Sequence, residues 1–88
     1  MIAEHIFTVI GVCPVNGARD AYSVTVETRA FLEASFLVDT AQKKLAVPIL
    51  QEDFTVALAE RLTAKVTTLC QHGAVLSKVS HDATLPRN

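Results

Sequence analysis

Cys13 is the first residue in this chain whose type and setting suggest chemistry. It lies near the end of the β-rich run 5–15 and is followed by Pro14 and the turn-forming pair Asn16-Gly17. A thiolate is a strong nucleophile once a neighbour lowers its pKa or accepts its proton. Asp20 lies seven residues further on. A hairpin would return it to the side of Cys13, where a carboxyl group can act as a general acid or base. The same residues also have a structural reading, with Cys13 as a small buried apolar side chain and Asp20 as a turn former.

Glu52 and Asp53 form a second pair. Carboxylates that open a helix complement the positive end of its dipole. Functionally, such a carboxylate can grip the N–H groups of a planar heterocycle, because a charged bidentate acceptor binds strongly. Cys70 and His72 would point to the same side of a strand. Two ligands are too few for zinc, so no metal site is expected from them. His5 and His81 lie near the ends of the chain and read as structural or surface residues. There is no glycine-rich phosphate loop and no dinucleotide fingerprint.

These side chains need a frame. The run 5–15 reads as a strand whose regular pairing weakens at Pro14, which has no N–H to donate. Residues 21–28 alternate, with Tyr22, Val24 and Val26 on one face and Ser23, Thr25 and Glu27 on the other. Asn16-Gly17 joins the two strands as an antiparallel hairpin. The stretch 31–44 reads as a helix on its Leu32, Phe36 and Leu37 stripe, with Lys43 and Lys44 suited to its C-terminal end. A strand through 35–38 is the competing reading. A stronger helix follows Pro48, over about 51–66. Residues 66–71 and 74–80 are β-like again and are separated by His72-Gly73. The order β-β-α-α-β-β predicts an α+β domain, a four-stranded antiparallel sheet with two helices on one face.

Composition bounds the reading. Eighty-eight residues make one domain, 1–88, with about 82–88 expected as a flexible tail. A chain this short buries only about 60% of its unfolded surface, yet 50% of its residues are apolar and 19% charged. Association would hide the surplus. No apolar run reaches the ~18 residues of a membrane span, and the N-terminus lacks a signal-peptide pattern. Two cysteines without paired spacing suggest free thiols in the cytoplasm. A net charge of −1 gives no electrostatic signature of nucleic-acid binding.

The stretch Cys13-Pro14-Val15-Asn16-Gly17-Ala18-Arg19-Asp20 resembles the Cys-Pro-Val-Thr-Gly-Gln-Pro-Asp motif of the QueF family, the 7-cyano-7-deazaguanine reductases. Leu32-Glu33-Ala34-Ser35-Phe36-Leu37 is similar to that family's Val-Glu-Ser-Lys-Ser-Leu segment, and Gln51-Glu52-Asp53-Phe54 to its His-Glu-Asp-Cys segment. Together the matches cover roughly residues 7–66. The resemblance implies a tunnelling-fold (T-fold) unit that oligomerises into a barrel. It implies Cys13 as the nucleophile that forms a thioimide with a nitrile, and Asp20 as the proton carrier. It places Glu52, with Glu33 and Gln51, on the substrate, in a site between subunits.

The segment that the reductases use for NADPH lacks both of its lysines here, and Gln51 stands where they have histidine. NADPH is therefore not the expected cofactor, and none other is implied. The archaeal QueF-like amidinotransferases, which add ammonia to a nitrile carried on tRNA, fit these departures better. The expected partners are further copies of the chain and a 7-deazaguanine-like ligand, free or on tRNA, with no membrane. The competing expectation is a non-catalytic T-fold protein that binds a purine- or pterin-like ring or only itself.

Overall fold

The computed structural model describes residues 1–85. Four strands and two helices follow in the expected order. They are β1 (Ala3–Val12), β2 (Arg19–Thr28), α1 (Ala34–Lys44), α2 (Gln51–Leu62), β3 (Lys65–His72) and β4 (Val75–Asp82). The strands form one antiparallel sheet in the order β1-β2-β3-β4. Both helices lie on one face, α1 over β1 and α2 over β3 and β4. This is the T-fold unit as a two-layer α+β architecture.

Alternation in the sequence selects the face that is covered. Tyr22, Val24 and Val26 of β2 are buried, as are Val66, Thr68 and Cys70 of β3. Their register brings them side by side, Val26 against Val66, Val24 against Thr68 and Tyr22 against Cys70. The helices contribute Leu37, Ala41, Phe54, Leu58 and Ala59 to the same core. The uncovered face is mixed, with Ser23, Thr25 and Thr67 beside exposed Ile6 and Ile10.

Element ends depart from the periodicity in three places. β1 stops at Val12, because Cys13 enters a turn in which the Gly17 N–H donates to its carbonyl at 2.9 Å. Gly17 takes φ 73°, a conformation that favours glycine. α1 begins at Ala34, not residue 31, because Glu33 caps it. The Glu33 carboxylate accepts from the N–H groups of Ser35 at 3.0 Å and Phe36 at 2.9 Å. α2 ends at Leu62 instead of about 66. Thr63 turns left-handed at φ 49°, and the Ala64 N–H donates back to the Ala59 carbonyl at 3.1 Å. The β-branched run Val66-Thr67-Thr68 then follows its strand preference, and Val66 joins the core from the sheet.

The outer edge of β1 is closed at one end only. The Gln42 side chain of α1 lies along it, accepting from the Ile10 N–H at 3.2 Å and donating to the Ile10 carbonyl at 3.3 Å. The Ile49 N–H donates to the Val12 carbonyl at 3.3 Å. Backbone groups alternate sides along an antiparallel strand. Glu4, Ile6 and Thr8 therefore share the outward side with Ile10, and no strand pairs with them there among the described residues.

Asp82 is the last residue of β4, and the Ala83 N–H donates to the Ala64 carbonyl at 3.1 Å. Residues 86–88 of the expected tail lie outside the described residues. Among the described residues no helix is long and apolar enough to cross a membrane.

Thr63 offers a direct check on the end of α2. A β-branched residue held left-handed carries backbone strain of about 1 kcal/mol or more. Thr63→Gly is expected to stabilise the domain by roughly 0.5–1 kcal/mol, read as a higher urea midpoint at unchanged slope.

Candidate functional site

At the Cys13 end of the sheet, the loop after β1, the start of α2 and the β3–β4 hairpin border a half-open cavity of about 360 Å³. Cys13, Tyr22, Gln51, Glu52, His72 and Ser77 are among the residues that line it. A larger cleft of about 590 Å³ lies at the other end of the sheet, beside Glu27, Arg29, Lys65 and Asp82. It holds none of the sequence-predicted site residues.

Gln51 organises the first cavity. Its side-chain nitrogen donates to the Thr68 carbonyl at 3.3 Å, the Thr68 hydroxyl at 3.1 Å and the Ser77 carbonyl at 3.0 Å. Two of these partners are carbonyls that can only accept, so the amide can point only one way. Its oxygen must face His72, whose Nε2 lies 2.8 Å away. A carbonyl oxygen requires a donor, so His72 carries hydrogen on Nε2 and its neutral form leaves Nδ1 with a lone pair. The Thr55 hydroxyl donates to the Gln51 carbonyl at 2.8 Å and lies 2.7 Å from the Thr68 hydroxyl.

The hairpin places Cys13 and Asp20 near each other. The Cys13 N–H donates to the Ala18 carbonyl at 2.8 Å, which makes Asp20 the diagonal neighbour of Cys13, at a typical separation of about 7–8 Å. Gly11 pairs with Asp20, and Val9 with Tyr22. A Cβ on Gly11 would lie 2.9 Å from Leu45 Cδ2 and 3.0 Å from Tyr22 Cε2. The absent side chain is what lets the Tyr22 ring lie against β1.

Asp20 does not line the cavity. It comes together instead with Cys70 and His72, their ligand-type atoms all within 4.8 Å of one another. Tyr22 pairs with Cys70, and the same register continued puts Asp20 opposite His72. Burial, then the negative charges of Asp20 and Cys13, raise the Cys70 thiol above its ordinary value. Glu33 stands apart from this cavity at the start of α1. The Ser35 hydroxyl and the Ser35 and Phe36 N–H groups hold its carboxyl below the usual range. The five site residues read from sequence thus divide. Cys13, Gln51 and Glu52 share the cavity within one chain, Asp20 lies beside it across the hairpin, and Glu33 caps a helix elsewhere.

The sequence reading passed over Tyr22 as a site residue and the convergence of Asp20 on Cys70 and His72. Period-two alternation could have placed Cys70 with His72, as it did. The register between β2 and β3 is what adds Asp20, and the chain connecting them includes both helices.

The fold and the cavity define a T-fold unit with a cysteine and a helix-borne carboxylate at one mouth. One solved structure similar to the chain is the crystal structure of the archaeosine synthase QueF-like protein in its apo form. The TM-score is 0.75 with 22% identity, over 97% of this chain and 96% of that one. No family model matches the sequence, and no curated protein matches it.

Tyr22 supplies a pH test of this site. Burial first, then the negative charges of Cys70, Asp20, Cys13 and Glu52, push its phenol up from 10.0 to about 12. The folded chain thus keeps the phenolic proton to higher pH than the unfolded chain. The associated stability is complete below pH 10 and is lost as pH rises toward 12. The urea midpoint is expected to fall across that window, and Tyr22→Phe to fall less.

Proposed function

We propose that this chain is a QueF-like enzyme acting on a 7-cyano-7-deazaguanine-type nitrile through a Cys13 thioimide, and that it completes the reaction by adding ammonia rather than by NADPH reduction. The observation that carries the reading is the cavity shared by Cys13, Gln51 and Glu52 in a fold similar to an archaeosine synthase.

The steps follow from these groups. Cys13 Sγ attacks the nitrile carbon, forming the C–S bond while the C≡N bond becomes C=N. The nitrile nitrogen gains a proton, and the net source is the thiol with Asp20 as carrier. Ammonia then adds to the thioimide carbon, the C–S bond breaks, and the amidine leaves as the thiol regains its proton. Glu52, exposed in the first turn of α2, offers a carboxylate to the ring N–H groups. Gln51 is held by its own three hydrogen bonds and presents a fixed cavity wall. The segment 33–38 itself carries no lysine or arginine, and the Glu33 carboxylate is engaged in capping α1. Both features favour ammonia over a phosphate-bearing reductant. Glu33 contributes in this reading only across a subunit boundary.

The active form in this reading is a homo-oligomer in which sheets join edge to edge. Its support is the open edge of β1 and the exposure of Ile6 (69%), Val75 (61%) and Leu76 (60%). Sedimentation at micromolar concentration is expected to give a species several times 9.5 kDa. A monomer would contradict the assembly.

The chemical test is incubation with 7-cyano-7-deazaguanine, read by intact mass and thioimide absorbance. A one-to-one adduct is expected, absent in Cys13→Ala, formed at least ~100-fold more slowly in Asp20→Asn and more weakly in Glu52→Gln. If no adduct forms and Cys13 resists alkylation, the non-catalytic reading replaces this one.

A further inference from the structure

Asp20, Cys70 and His72 bring a carboxylate oxygen, a sulfur and an imidazole nitrogen within 4.8 Å of one another. We infer that these three residues form a binding site for one divalent cation of borderline softness, with zinc the best match.

The donor set points to zinc. An O, N, S combination suits it better than the all-oxygen preference of magnesium or calcium. Zinc bonds of 2.0–2.3 Å in tetrahedral geometry place neighbouring ligand atoms roughly 3.5 Å apart. The observed spacing needs only a small closure of side chains to reach that. Register holds the cluster in place, because Tyr22 pairs with Cys70 and Asp20 then faces His72 on the same side of the sheet.

The acceptor that would orient the histidine is already in place. Metal-bound histidines donate their other ring N–H to an acceptor that fixes the tautomer. Here the Gln51 oxygen, 2.8 Å from His72 Nε2, is that acceptor, which makes Nδ1 the ligand nitrogen. The Gln51 amide is itself locked by Thr68 and Ser77. Asp20 is half-buried and its side chain makes no hydrogen bond or ion pair among the described residues, so its carboxylate is free for a cation. Three protein ligands leave the fourth position to water or another small ligand, the pattern of an open zinc site. Occupancy would also engage Asp20, so the metal-loaded chain and the proton-carrying Asp20 of the proposed nitrile chemistry are alternative states.

Titration of the metal-free, reduced protein with cobalt(II), followed by zinc displacement, tests the site without any nitrile, so its result is independent of the proposed reaction. One ion per chain is expected, with a near-ultraviolet sulfur-to-cobalt charge-transfer band that disappears in Cys70→Ser and persists in Cys13→Ser. His72→Ala and Asp20→Asn are each expected to weaken binding at least ~10-fold, since losing even a group that only orients a metal ligand costs about 10–100-fold. His72→Ala removes an exposed ring but also the donor to the buried Gln51 oxygen, so its far-ultraviolet circular dichroism is recorded alongside; a folded His72→Ala keeps the test decisive even if Cys70→Ser unfolds. No charge-transfer band in the unmodified protein, a band lost with Cys13 instead of Cys70, or unchanged affinity in His72→Ala would each overturn the inference.

Discussion

The buried amide of Gln51 is the point on which the site end of the molecule turns. It stands at the first residue of α2, which has no side-chain cap at Leu50. Its nitrogen spans to β3 through Thr68 and to β4 through Ser77, tying the helix start to two strands at once. A buried amide left without partners costs about 1–3 kcal/mol, so the three donor contacts and the His72 contact are kept or lost together. Because the carbonyl partners accept only, the amide cannot flip. That single orientation determines the tautomer of His72.

Much of the frame is legible in the sequence, for definite reasons. Tyr22, Val24 and Val26 alternate without interruption, so the buried face of β2 follows from chain geometry alone. The Asn16-Gly17 turn is local, so the return of Asp20 toward Cys13 is local too. The end of α2 was less legible. Leu62 and Val66 continue a helical stripe, and only the packing of Val66 into the sheet decides against it. The approach of Asp20 to Cys70 and His72 depends on pairing between strands separated by both helices. No spacing along the chain encodes that distance. Glu33 shows the converse case, in which a residue singled out by a resemblance is held by the ordinary chemistry of a helix N-terminus.

The site end of the sheet concentrates negative groups around a small amount of apolar wall. Asp20, Cys13, Cys70 and Glu52 all act on Tyr22, in the same direction as its burial. The carboxylates of Asp20 and Glu52 raise the local attraction for anything that brings positive charge or N–H donors. A planar heterocycle rich in N–H groups and a small cation answer the same electrostatic demand by different routes.

The Gln42 amide on the edge of β1 acts as a built-in terminator. It occupies both backbone groups of Ile10, as an adjoining strand would, and Ile49 takes the next outward carbonyl at Val12. A strand added to this edge finds free backbone groups along Glu4, Ile6 and Thr8, whereas at Ile10 it would have to displace Gln42. Neighbouring sheets would then meet with an offset, zipped at the far end and parted at the end that carries Cys13. A side chain on a helix thus sets how far along this edge an added strand could run.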